Sequence, residues 1–175
     1  HCFLMFVLPT FSLGVVASPS QPAAFQNIRA VNFDKTNDYM KCADNFETLF
    51  RSSFSVSFWV KFNSIGGTQV VLGSSNATSF DRIQIFHNGS TLVHFYEANN
   101  VSTTPKNAGS GITWTDWNHV AATYEQSGSS CNHVLYVNGV AKVSATNTLD
   151  MSAYATTGTA PESLAWAAKT LGTSF

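Results

Sequence analysis

Residues 54–62 read FSVSFWVKF, a strict alternation. Phe54, Val56, Phe58, Val60 and Phe62 fall on one side of a period of two, and Ser55, Ser57, Trp59 and Lys61 on the other. β-Branched and aromatic residues at that period make a strand with one buried face. Two more segments carry the pattern with a turn inside it: RIQIFHNGSTLVHFY, around Asn88-Gly89, and HVLYVNGVAKVSA, around Asn138-Gly139. Asn-Gly accepts positive φ at both central positions, which a two-residue hairpin turn requires. Further strands are expected over 29–34, 38–43, 67–73, 118–125 and 168–174. No run of 12 or more residues keeps a 3.6 period, so little helix is expected. Residues 98–111 and 144–163, rich in Ser, Thr, Asn, Gly and Ala, read as long loops. Many short strands at this spacing predict an all-β chain folded as an antiparallel two-sheet sandwich.

Composition narrows the function classes. The 175 residues suffice for one domain with a real core. Only 11% are charged and the net charge is −1, so polarity comes from 21 Ser, 18 Thr and 14 Asn. No basic stripe exists to neutralise phosphates, which argues against nucleic acid as a partner. With 44% hydrophobic residues the chain is not a disordered tail.

The first residues form a separate segment. Residues 1–17 carry the uncharged apolar run CFLMFVLPTFSLGVVA, with Val15 and Ala17 at a spacing that a signal peptidase accepts. They read as the tail of a secretory signal peptide cleaved after Ala17, or else as a buried strand. An uncleaved run would be the chain's one route to a membrane. Residues 18–28 read as a linker and 29–175 as the folded domain. In an exported chain Cys42 and Cys131 would be a candidate disulfide; two buried thiols are the other reading.

Four segments in order carry a resemblance: AVNFDKTNDYMKC, SFSVSFWVKF, WNHVAATYEQS and VLYVNGVAKV. The chain resembles the laminin-G-like group of concanavalin A-like lectin/glucanase domains over roughly residues 30–175. Phe33, Asp34, Asp38 and Tyr39 match the opening motif, and Trp59, Val60 and Lys61 the second. Trp117, His119, Val120 and Ala121 match the third, and Leu135 to Gly139 the fourth. The resemblance implies a jelly-roll sandwich, usually non-catalytic, that binds glycans or protein surfaces, sometimes through calcium. The family continues with a closing strand beyond LGTSF at 171–175. The chain either stops short of it or uses the N-terminal apolar run in its place.

Glucanases of this fold carry their carboxylates as Glu-x-Asp-x-x-Glu on one strand, because hydrolysis needs an acid and a nucleophile or base together. The four glutamates, Glu47, Glu97, Glu125 and Glu162, form no such motif, so no enzyme is expected. His119 reads as a structural strand residue, and the histidines show no zinc spacing. Calcium is the candidate cofactor, with Asp34, Asn37 and Asp38 as ligands in the opening turn, against an Asx-type turn without metal. For a sugar platform, Trp59 and Trp117 sit at strand positions expected in the core. That leaves Trp114, Tyr154 and Trp166, in or near loops, as candidate ligand-binding rings. Asn76, Asn88 and Asn100 are N-glycosylation sequons, with meaning if the chain is exported. The expected function is a binding module for a glycan or surface protein, outside the cell or on a particle. The alternative is a structural or adhesion domain of a virion or phage particle.

Overall fold

The computed structural model describes residues 2–5, 30–34, 38–43, 46–74, 82–99, 101–154 and 164–166. Thirteen strands occur among them: β1 Cys2–Met5, β2 Val31–Phe33, β3 Met40–Lys41, β4 Phe54–Phe62, β5 Gln69–Gly73, β6 Arg82–His87 and β7 Leu92–Ala98. There follow β8 Val101–Ser102, β9 Lys106–Asn107, β10 Asn118–Ser127, β11 Ser130–Val137, β12 Val140–Thr148 and β13 Ala165–Trp166. One turn of helix, α1 Glu47–Phe50, precedes β4, and a 3-10 turn, Met151–Ala153, follows β12. The first sheet runs β12-β11-β10-β4-β1-β2 and the second β3-β13-β5-β6-β7-β8, with β9 also on β7. All pairings are antiparallel. The chain is therefore the all-β sandwich that the alternation predicts.

The alternating residues do what their period requires. Phe54, Phe58, Val60 and Phe62 are buried, while Ser55 and Ser57 are exposed. Burying each such side chain contributes about 1.5–3 kcal/mol. β10 and β11 repeat the pattern with Val120, Ala122 and Tyr124, then Cys131, Leu135 and Val137. Ile83, Ile85, Leu92 and Tyr96 line the opposing sheet in the same core. Both faces of β5 and β7 are buried, so alternation is lost there: Val93, Phe95 and Glu97 are as enclosed as Leu92, His94 and Tyr96.

The two Asn-Gly pairs turn differently. Asn138 and Gly139 have φ of 52° and 77°, the two positive values of a two-residue turn. At the other hairpin His87 pairs with Leu92, leaving four residues in the loop, and Gly89 has φ of 95° while Asn88 is not among the positive-φ residues. There the Asn88 side chain does the work. Its Oδ1 accepts the N–H groups of Ser90 and Thr91, both at 3.0 Å. The expected two-residue turn at Asn88 is thus a four-residue loop closed by a carboxamide.

Two loops depart from expectation. The loop over 98–111 contains β8 and β9, and the one over 144–163 begins with the last residues of β12. The strand expected at 168–174 lies outside the described residues, while β13 forms just before it. Cys2–Met5, read as part of a leader or as a buried strand, pairs inside the first sheet.

The candidate disulfide does not form; Cys42 and Cys131 are both free, as the other reading has them. Cys42 follows edge strand β3, its N–H bonded to the Leu164 carbonyl at 2.8 Å. Cys131 lies in β11 of the other sheet. The β11–β12 flank faces the β8–β9 end of the second sheet, where Asn147 Nδ2 donates to Thr104 Oγ1. The two cysteines therefore sit at opposite flanks of the sandwich. Cys131 is fully buried, and that burial pushes its thiol up to about 11. A thiol-specific reagent at pH 8 is expected to label Cys42 in the folded protein and Cys131 only after denaturation. Mass mapping of the labelled peptides checks this, and early labelling of Cys131 would count against the described core.

Candidate functional site

The loop from Gly111 to Trp117 places its two tryptophans oppositely. Trp114 is 3% exposed, with its ring edge-on to Phe62 at 6.3 Å and His87 at 5.9 Å. The Trp114 carbonyl accepts the Phe62 N–H at 3.0 Å, and the Asp116 N–H donates to the Thr113 carbonyl, so the loop turns tightly. Three residues on, Trp117 is 39% exposed. The expectation from sequence was the reverse, with Trp117 in the core and Trp114 on a platform. The correction has a physical cause. Trp117 precedes the first residue of β10 and is turned outward, while Trp114 plugs the end of the sandwich beside β4.

The other two expected rings are also interior. Tyr154 is fully buried, stacked on Tyr96 at 5.6 Å and edge-on to Phe50 at 5.5 Å. Trp166 is 8% exposed, edge-on to Phe58 at 5.4 Å. Neither presents a face to solvent, so Trp114, Tyr154 and Trp166 make no ligand platform. Trp59 is half-buried on the outer face of the first sheet, 5.3 Å from the His119 ring, its cross-strand partner.

Trp117 instead lines a pocket of about 360 Å³ between the 111–118 loop and the β11–β12 hairpin. Asn118 and Asn138 form its floor. Asn138 Nδ2 donates to Asn118 Oδ1 at 2.9 Å, and Asn118 Nδ2 donates to the Thr113 and Asp116 carbonyls. Asn138 Oδ1 accepts the His119 N–H at 2.9 Å. The floor is held before any ligand arrives. Gly111, Ile112, Thr113 and Asp116 form one wall, and Val137, Val140 and Lys142 the other. The far wall owes its shape to an irregularity. Leu135 pairs with Val143 but Tyr136 pairs with Ala141, so Lys142 is the extra residue of a β-bulge. Val140 and Lys142, two positions apart in β12, both line the pocket. The ion pairs among the described residues, Arg51–Glu47 and Arg82–Glu97, leave the Asp116 carboxylate and the Lys142 ammonium outside them. The pocket thus combines an exposed indole, a carboxylate, an ammonium, a hydroxyl and a small apolar patch.

A second polar group lies deep between the sheets. His94 Nδ1 is 3.2 Å from the Tyr124 hydroxyl, and the His133 ring is 5.0 Å away. Burial, with the neighbouring His133, holds His94 down at about 3. Burial also lowers His133 and His87 and raises the Tyr124 phenol. The described residues hold no cluster of three or more His, Cys, Asp or Glu able to bind a metal. In the opening turn, Asp38 Oδ2 accepts the N–H of Asp34, four residues earlier, at 3.0 Å, and Asn37 lies outside the described residues. Two exposed carboxylates supply few of the six to eight oxygens that calcium takes. Of the sequons, Asn88 is exposed in its loop, and Asn76 and Asn100 lie outside the described residues. Among the glutamates, Glu97 is buried against Arg82 at 2.6 Å, Glu47 pairs with Arg51, Glu125 is exposed and Glu162 is undescribed.

A laminin G-type sequence profile, described as the Concanavalin A-like lectin/glucanases superfamily, matches residues 34–170. The chain belongs to this superfamily. Among solved structures, this concanavalin A-like domain is similar to a Ruminococcus gnavus sialidase carbohydrate-binding module of family 40, bound to α2,3-sialyllactose. That match has 10% identity and a TM-score of 0.52, covering 66% of this chain and 63% of the other. It is also similar to domains LG4-5 of the mouse laminin α1 chain, at 11% identity and a TM-score of 0.52, covering 67% and 28%. The concanavalin A-like domain therefore spans less than two thirds of either chain, and at these identities the likeness is one of fold. No curated protein matches the sequence.

Proposed function

We propose that this domain is a non-catalytic carbohydrate-binding module, working outside the cell, that stacks a sugar ring on Trp117. The observation that carries this reading is the exposed Trp117 indole lining the same pocket as two pre-bonded amides. Sugars offer apolar C–H faces to an indole and hydroxyls to polar neighbours. Asp116 can accept from two adjacent hydroxyls while Thr113 and Lys142 donate. Because Asn118 and Asn138 are already bonded, little ordering cost falls on the binding step. Hydrolysis needs two carboxylates flanking one bond, and Asp116 is the one carboxylate among the lining residues. The similar solved structures, a glycan-bound module and laminin domains, support a binding role.

A glycan array followed by calorimetry on the best ligand tests the reading. Trp117→Ala is expected to weaken binding by about 2 kcal/mol, roughly 30-fold, with Tm nearly unchanged. Trp114→Ala is expected to lower Tm. A bound glycan whose affinity ignores Trp117→Ala would place the site elsewhere. Silence on the array, with stable association to a particle, would favour the structural role instead.

A further inference from the structure

β1 occupies an interior position in the first sheet. Cys2, Phe3, Leu4 and Met5 pair with Phe62, Lys61, Val60 and Trp59 of β4 on one side, and Cys2, Phe3 and Leu4 with Phe33, Asn32 and Val31 of β2 on the other. Among the described residues β2 has no other strand neighbour. β2 and β4 are both antiparallel to β1, so they run parallel to each other, about 9.6 Å apart at the usual strand spacing. They cannot pair as they stand, and the gap fits one antiparallel strand. Without it, β4 would show an open edge directly above Val60 and Phe62, both fully buried. An open edge at the core is a template for any extended segment.

The occupant suits the gap. Cys2–Met5 is uncharged and apolar, and 25 residues separate it from Val31. It is a distant piece of chain laid into a ready groove rather than a hairpin partner. We infer that the space between β4 and β2 is a strand-acceptor site, whose ligand is a short uncharged apolar segment and whose occupant in this chain is Cys2–Met5. Recognition runs through main-chain hydrogen bonds, as in strand addition generally, so it reads extended backbone and tolerates side-chain variety. The tether raises the local concentration of the chain's own segment, which keeps competitors out. The acceptor is distinct from the Trp117 pocket.

The chain with Phe3→Pro and Leu4→Pro tests this, since adjacent prolines remove ladder donors toward both neighbours. The variant is expected to lose about 5–10 °C in Tm. A fluorescein-labelled synthetic octapeptide of residues 1–8 should then bind it saturably and restore Tm, while the unsubstituted chain binds none. An unchanged Tm, or a folded variant that ignores the peptide, overturns the inference. Hydrogen exchange on the unsubstituted chain decides the matter if the variant fails to fold. The Phe62 N–H points to Trp114, away from β1. By alternation the Trp59 and Lys61 amides point to β1. Slow exchange at those two amides supports the acceptor, and fast exchange there overturns it.

Discussion

Tyr96→Ala is expected to destabilise the domain by about 4 kcal/mol and lower Tm by roughly 8–16 °C. Tyr96 is fully buried, and its ring lies 5.6–5.7 Å from Phe54, Tyr124 and Tyr154. Its hydroxyl donates to the Phe50 carbonyl at 2.6 Å, tying α1 to the second sheet. Alanine would leave a cavity shared by both sheets and a buried carbonyl without its donor. Tyr96→Phe separates the two terms. It keeps the ring and should cost only about 1–2 kcal/mol, the value of a buried acceptor left short of its partner. Chemical denaturation of the three proteins checks this, and equal losses for both variants would mean that the hydroxyl, not the ring, carries the effect.

Acid should unfold the domain well above the pH at which its carboxylates titrate. His94 is held at about 3 in the folded state, against about 6.5 in the unfolded chain. A lowered folded pKa means that the unfolded state binds the proton first. The stabilisation is complete above pH 6.5 and is lost as pH falls toward 3. The slope is about 1.4 kcal/mol per pH unit, so His94 alone costs on the order of 3 kcal/mol by pH 4.5. His87 and His133 act in the same direction. Their surroundings explain why. Asn147 Nδ2 is spent on Thr104, so its Oδ1 takes a proton from His133 Nε2 at 3.0 Å. A second proton on His133 would go to Nδ1, which is buried without an acceptor. His87 Nδ1 accepts the Gly89 N–H, so protonation there would set N–H against N–H. Near His94 stand Tyr124, His133 and Lys106, its cross-strand partner, and none offers a negative charge at neutral pH. Tm measured from pH 7.5 to 4.5 should fall steadily, and less steeply for His94→Gln. A flat profile down to pH 5 would contradict the buried neutral histidines.

The sandwich was legible because one face of most strands is wet. At β4, β10 and β11 the period of two is written in Phe and Val against Ser, Thr and Lys. β13 was missed because Ala165-Trp166 is too short to show a period, and β1 stayed one of two readings because an apolar run reads equally as a leader. The binding surface was harder to read. Trp114 and Trp117 differ by three positions in one loop, and composition cannot say which indole faces inward. That is decided by Phe62 and His87, which come from other strands. The bulge at Lys142 is likewise invisible in VNGVAKVSA, since it depends on pairing with Leu135 and Tyr136. The cysteine pair stayed open for a related reason: an even count says nothing about which flank each occupies.

Asn138 is both the corner of a hairpin and the floor of the pocket. Its left-handed backbone suits asparagine or glycine, and its carboxamide is committed to Asn118 and His119. A lineage exploring new ligands could not easily change this residue without unsettling the strands beneath it. Variation should therefore accumulate at Asp116 and Lys142, leaving relatives with one shared base and different rims.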